Sequence, residues 1–142
     1  MKITNRKAHF EYFIIEEFVG GIQLLGSEVK SLRAGNASIS ESYIYINNGE
    51  VFLKSSFIAK YKDSSYLNHE EKRERKILLN KKEINKLIKE VKNVGITIIP
   101  VEIFLKGNLF KIKFGLARGK KLHDKRESIK DRDISRELRS FS

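Results

Sequence analysis

The sequence predicts a mainly β protein, a small antiparallel barrel with two or three short helices and a basic C-terminal tail. Three observations carry that expectation. Two β-rich runs are each broken by a two-residue turn signal, Asn48-Gly49 and Gly107-Asn108; one segment, 80–95, has clear helical periodicity; and from Arg118 onward core-forming residues nearly vanish. With 142 residues, 40% of them hydrophobic, the chain suffices for one compact domain and leaves little for a second.

His9 to Phe18, HFEYFIIEEF, alternates as a strand does, with Phe10, Tyr12 and Ile14 on one face. Phe13 and Ile15 load the other, so both faces are expected to be covered. GSEVKSLRAG, 26–35, reads as a short helix capped by Ser27, with Val29 and Leu32 sharing a face and Gly35 as its stop. In SYIYINNGEVFLKSSFI, 42–58, Asn48-Gly49 suits a type I′ turn, which needs positive φ at both central residues, so a tight hairpin follows. Residues 59–76 lose all periodicity and read as a long exposed loop.

NKKEINKLIKEVKNVG, 80–95, places Ile84, Leu87, Ile88 and Val91 at helical spacing, with Asn80 and Glu83 forming a capping box and Gly95 ending the element. Residues 96–117 give a second hairpin around Gly107-Asn108, and Pro100, lacking an N–H, marks an edge or bulge in its first strand. In its second strand Phe110, Ile112 and Phe114 alternate with Lys111 and Lys113, giving one apolar and one basic face. Five or six antiparallel strands with so few helices favour an OB-like barrel, because closure removes aggregation-prone edges. The barrel is expected over 1–117 and the tail over 118–142.

The tail holds 9 Lys or Arg against 5 Asp or Glu, with Leu122, Ile129, Ile134, Leu138 and Phe141 as its large apolar residues. So few apolar side chains do not offset backbone ordering of about 1–2 kcal/mol per residue, so the tail is expected to be disordered when free. Ile134, Leu138 and Phe141 are nonetheless at helical spacing, and a helix can form where an anionic surface supplies contacts. A solvated charged end and a binding arm fit this composition equally.

Charge narrows the partners. Lys and Arg total 29 against 18 Asp and Glu, a net charge of +11, which favours a polyanion, either nucleic acid or an anionic membrane surface. No segment reaches signal-peptide or membrane-spanning apolar length, so a cytoplasmic protein is expected. No cysteine is present, which excludes disulfides, thiolate nucleophiles and zinc sites built on sulfur. Catalytic signatures are also missing. His9, His69 and His123 lie far apart, and HEEKR at 69–73 lacks the second histidine of a zincin, so His69 reads as a surface residue. Gly20-Gly21 lacks the Lys-Ser/Thr of a phosphate loop, and no G-x-S-x-G occurs. His123 and Asp124 suit a metal-dependent nuclease in side-chain chemistry alone, on a tail with nothing to orient them. A non-enzymatic protein without metal or cofactor is expected. Basic residues recur at Arg6 and Lys7, Lys30 and Arg33, Arg73 to Lys76 (Arg73, Arg75, Lys76), and Lys111 to Lys125, which suits phosphate binding by counterion release. Each cluster taken singly also fits a solvated face.

Four stretches in order, NRKAHFEYFI at 5–14, GSEVKSLRAG at 26–35, KRERKILLN at 72–80 and GLARGKKLHDKR at 115–126, resemble the SsrA-binding protein (SmpB) family, protein partners of transfer-messenger RNA. The resemblance implies an OB-like barrel gripping the tRNA-like domain of that RNA, and a tail that becomes helical in the decoding centre and messenger channel of a stalled ribosome. It implies trans-translation: an alanine-charged RNA, hence indirect links to alanyl-tRNA synthetase and elongation factor Tu, rescues the ribosome and tags the unfinished peptide. Leu78, Asn80 and Lys111 would lie at the RNA-contacting surface. Lys120, Lys121, Lys125 and Arg126 would meet ribosomal phosphates and His123 would stack on a base, with Asp124, Lys130 and Arg132 in the same segment. A monomer is expected. The chain departs from the family pattern at Val19, where an acidic residue is usual, and in 59–76, which lacks a proline before the paired arginines. The alternative is a general ribosome-associated or single-strand RNA-binding OB-fold protein.

Overall fold

The computed structural model describes residues 2–62 and 68–120. The elements are β1 (Lys2–Thr4), α1 (Lys7–Glu11), β2 (Tyr12–Ile22), α2 (Gly26–Arg33), β3 (Ala37–Ser38), β4 (Tyr43–Asn47), β5 (Glu50–Lys54), β6 (Phe57–Ile58), β7 (Arg75–Leu78), α3 (Lys81–Glu90), β8 (Ile96–Lys106) and β9 (Leu109–Gly119). Among the described residues seven antiparallel strands form one curled sheet in the order β1-β8-β9-β2-β7-β5-β4, and β3 and β6 form a two-stranded sheet. β4 curls round to approach β8, yet the two are not hydrogen-bonded among the described residues, so the OB-like barrel is open along that seam. Apolar side chains line a hollow of about 240 Å³ there: Ile44 and Ile46 from β4, Ile96 and Ile98 from β8, and Val91 from the end of α3.

Both hairpins form where the turn chemistry placed them. Asn48 (φ 52°) and Gly49 (φ 74°) both adopt the left-handed conformation of a type I′ turn. In the second hairpin Gly107 has φ 63°, and Lys106 pairs with Leu109 across the two-residue loop. Pro100 sits at a bulge, where the β8–β9 register shifts between Pro100 and Glu102. On the other side of β8, β1 pairs only with Glu102 to Phe104, so among the described residues no strand is paired there at Pro100.

The N-terminal strand starts later and ends later than the alternation suggested. Residues 7–11 are helical because Asn5 turns the chain: its backbone C=O and side-chain Oδ1 accept the N–H groups of Ala8 and Lys7, while Ala8 is buried with Ile99, Val101 and Ala117. The strand then continues through Gly20-Gly21, where a Cβ on Gly20 would come 2.9 Å from Leu79 Cδ2 and 3.0 Å from the Leu78 carbonyl oxygen. Glycine lets β7 close on β2 there. The short strands β1, β3, β6 and β7 exceed the expected five or six because their pairing comes from distant neighbours rather than from their own pattern.

α2 ends as expected, in a Schellman motif with Gly35 at φ 78°, Gly35 N–H bonding to Leu32 O and Asn36 N–H to Ser31 O. Its start differs: the N-cap position is Leu25, whose N–H donates to Glu28 Oε1 at 2.7 Å, and the Ser27 hydroxyl is engaged elsewhere. α3 carries the expected box, with Glu83 N–H donating to Asn80 Oδ1 at 2.8 Å and Asn80 N–H to Glu83 Oε1 at 3.3 Å. Leu87 of α3 plugs the barrel core, where Phe18 and Phe114 stack with ring centroids 5.6 Å apart. β9 runs to Gly119, past the expected barrel end at residue 117.

Candidate nucleic-acid interface

The register of the sheet builds a basic outer face from three separate segments. Directly paired residues in antiparallel strands project to the same side. Gly21 of β2 pairs with Leu78 of β7 on one side and Lys111 of β9 on the other, and Lys111 pairs in turn with Phe104 of β8. One step along, Lys113 pairs with Val19 and with Glu102. Leu78 is 48% exposed and Val19 45% exposed, whereas Phe110, Ile112 and Phe114 are buried on the opposite side of β9. The alternation read from the sequence therefore holds: β9 turns its apolar face inward and its lysines outward.

Glycine shapes the middle of this face. A Cβ on Gly21 would lie 3.4 Å from Leu78 Cβ, in ordinary contact, so the bare backbone at 21 leaves a shallow strip between Leu78 and Lys111. Asn80 follows Leu78 by two positions and is exposed at the start of α3. Its Oδ1 serves the helix cap, so its Nδ2 remains as the outward donor. Apolar contact, bare backbone, an amide donor and two ammonium groups are what sugar, base and phosphate each need.

The structure thus brings Leu78 and Lys111 to one side, with Asn80 two residues beyond Leu78, together with Lys113, read from the sequence as part of the same basic strand face, Val19, read as a departure from the family pattern, and Gly21, which the sequence did not single out as a contact. The other basic candidates are scattered. Arg6 precedes α1 and is exposed; Lys7 is ion-paired with Glu41 at 2.7 Å. Hydrogen bonding and attraction from Glu41 push the Lys7 ammonium above its ordinary value. Lys30 and Arg33 are exposed on α2, with Lys30 Nζ 5.5 Å from the centre of the Tyr61 ring. Lys120 lies at the base of the tail, and Lys121, His123, Asp124, Lys125, Arg126, Lys130 and Arg132 lie outside the described residues.

The cluster at 73–76 is corrected by its surroundings. Arg75 has no exposed surface: its Nη2 lies 2.6 Å from Glu28 Oε2, and Nη1 donates to Ser56 O and Oγ at 2.9 and 3.0 Å. A guanidinium so enclosed is out of reach of an RNA phosphate. Arg73 donates to both oxygens of the same carboxylate, at 2.7 Å to Oε1 and 3.1 Å to Oε2, and Lys76 is paired with Glu50. Burial opposes ionisation of Glu28, but hydrogen bonds from Arg73, the Leu25 N–H and Arg75 prevail and hold its carboxyl below the ordinary value. Arg73 and Arg75 therefore brace α2 against β7 through a carboxylate more than 40 residues away in sequence, which their own neighbours could not reveal.

His69 is likewise not on the surface. It is 3% exposed, with Nε2 2.8 Å from Ile58 O and Nδ1 2.7 Å from Ser27 Oγ. A carbonyl only accepts, so Nε2 carries a proton and donates to Ile58 O. This part-buried Ser-His contact has a carbonyl where a triad would place a carboxylate. Among the described residues no group of three His, Asp or Glu gathers as metal ligands, and no helix is long and apolar enough to cross a membrane.

The fold and this face are those of an open OB-like β-barrel protein with a lysine-bearing outer surface. Comparison narrows the class. The SmpB protein family model matches residues 2–141, and the chain belongs to that family. It is 58% identical over 139 residues to the SsrA-binding protein of Acholeplasma laidlawii, covering 96% of this chain and 93% of the relative. The SsrA-binding protein of Deinococcus radiodurans is 46% identical over 138 residues, covering 97% and 96%. A solved structure described as "tmRNA-SmpB: a journey to the center of the bacterial ribosome" superposes with a TM-score of 0.72 at 39% identity, covering 90% of this chain and 94% of the other.

Proposed function

We propose that this protein binds the tRNA-like domain of transfer-messenger RNA and delivers it to stalled ribosomes for trans-translation. The observation that carries the reading is the row Leu78, Gly21, Lys111, with Asn80 beside it, on a chain of the SmpB family. The outer face of β2, β7 and β9 is the RNA surface, and residues 118–142 are the arm directed at the decoding centre and messenger channel. The protein acts as a monomeric cytoplasmic adaptor without chemistry of its own. Alanyl-tRNA synthetase and elongation factor Tu meet it only through the shared RNA.

The test is a binding comparison between a folded tRNA-like RNA and an unstructured RNA of equal length. Preference for the folded RNA, weakened by Lys111→Ala, supports the adaptor. Equal affinity for both, indifferent to Lys111, would instead mark a general single-strand binder. Deletion after Gly119 is expected to preserve RNA binding and abolish peptide tagging.

A further inference from the structure

The base of the tail is fastened to the barrel at one aromatic ring. β9 stays paired with β2 to its end, Arg118 opposite Phe13 and Gly119 opposite Tyr12. Past the strand, the Lys120 N–H donates to Glu11 O at 2.8 Å and Lys120 Nζ donates to His9 O at 3.0 Å. Both carbonyls belong to the final turn of α1, where C=O groups have no partner within the helix. Arg118 and Lys120, two residues apart, project to the same side, and the Phe13 ring receives both: Arg118 Cζ lies 5.2 Å and Lys120 Nζ 4.9 Å from its centroid.

Phe13 has little other reason to be aromatic. It is half-buried, and with Ile15 and Lys120 it borders an open hollow of about 540 Å³ instead of sitting in the core of the barrel. Its ring is held from the β9 side by the two cations.

We infer that Phe13 is a positioning residue for ribosome rescue: its ring, gripped by Arg118 and Lys120, fixes the direction of the chain at Lys120, from which the C-terminal segment continues. This rests on the reading of that segment as the ribosome-directed arm. An arm tethered at a fixed angle searches a smaller volume than one swivelling at its root, so its effective concentration at the target is higher. The barrel holds the RNA, and the clamp relates the arm to that RNA.

The experiment uses the full chain. Phe13→Leu keeps apolar bulk and removes the ring face, whereas Phe13→Tyr keeps the face. Phe13→Leu is expected to leave affinity for the folded tRNA-like RNA within about two-fold, because the ring is remote from the Leu78–Lys111 row. It is expected to raise hydrogen exchange at the Lys120 amide about ten-fold and to lower tagging of stalled peptides several-fold, with Phe13→Tyr restoring both. Arg118→Gln removes one cation without touching the ring, shifts both readouts the same way, and decides the matter should Phe13→Leu fail to fold. Unchanged exchange at Lys120, or wild-type tagging despite raised exchange, overturns the inference. Deletion after Gly119 runs in parallel: tagging that survives the deletion sinks the arm itself, whereas tagging lost on deletion but untouched by Phe13→Leu sinks the clamp alone.

Discussion

Glu28 and Arg75 form an ion pair from which water is excluded, both side chains wholly buried and Arg75 Nη2 2.6 Å from Glu28 Oε2. The pair joins α2 to β7, and Arg73 closes it from the solvent side. Removing one member strands the other. Glu28→Gln keeps the volume and leaves the Arg75 charge buried without a counter-charge, so it is expected to destabilise the fold by about 3–5 kcal/mol, read as a lower urea midpoint. A variant as stable as wild type would show that the pair contributes nothing beyond its packing.

The same carboxylate gives an acid signature. Its folded value lies below the ordinary 4.5, so the unfolded chain binds the proton more readily. The stabilisation is therefore complete above 4.5 and drains away as pH falls through the lower folded value. Urea midpoints taken from neutral pH down to about pH 3 are expected to fall more steeply for wild type than for Glu28→Gln below 4.5. Parallel curves would mean that another group carries the acid sensitivity.

Asn80 caps α3, and one substitution separates that observed role from the proposed contact with RNA. Asp caps a helix as well as Asn does, so Asn80→Asp keeps the bond from the Glu83 N–H while replacing the outward amide donor with a carboxylate that repels phosphate. Thermal stability is expected to stay within about 0.5 kcal/mol of wild type, with RNA affinity falling at least ten-fold. Asn80→Ala, by contrast, is expected to lose about 1 kcal/mol of stability together with affinity. If Asn80→Asp binds RNA normally, Asn80 is a cap and nothing more.

What could be read from the chain divides by range. The Asn48-Gly49 and Gly107-Asn108 turns, the Asn80 box and the Lys111/Lys113 alternation are local, and each is where its few residues demand. The first long strand runs on through Gly20-Gly21, past the expected end at Phe18, because the glycines serve the close approach of β7, a partner more than 50 residues on. Arg75 and His69 looked exposed because their neighbours in sequence are charged, whereas their partners Glu28, Ser27 and Ile58 come from other elements. The interface shows the same division: the lysines of β9 were legible, but their placement beside Leu78 and Val19 depends on a register that no single segment encodes.

That register makes Lys111 the sharpest probe of the RNA face. It is only half-exposed, between Gly21 and Phe104, so its ammonium has a defined place on the sheet rather than a free sweep through solvent. If it meets a phosphate there, Lys111→Ala removes one released counterion, and the slope of log affinity against log salt is expected to shrink by about 0.7–0.9. Lys111→Arg keeps the charge and should keep the slope. Lys30→Ala, on exposed α2 away from the row, is the internal comparison and is expected to change affinity less at every salt concentration. Equal losses from Lys30 and Lys111, with equal changes in slope, would mean that the RNA responds to overall charge and not to this face.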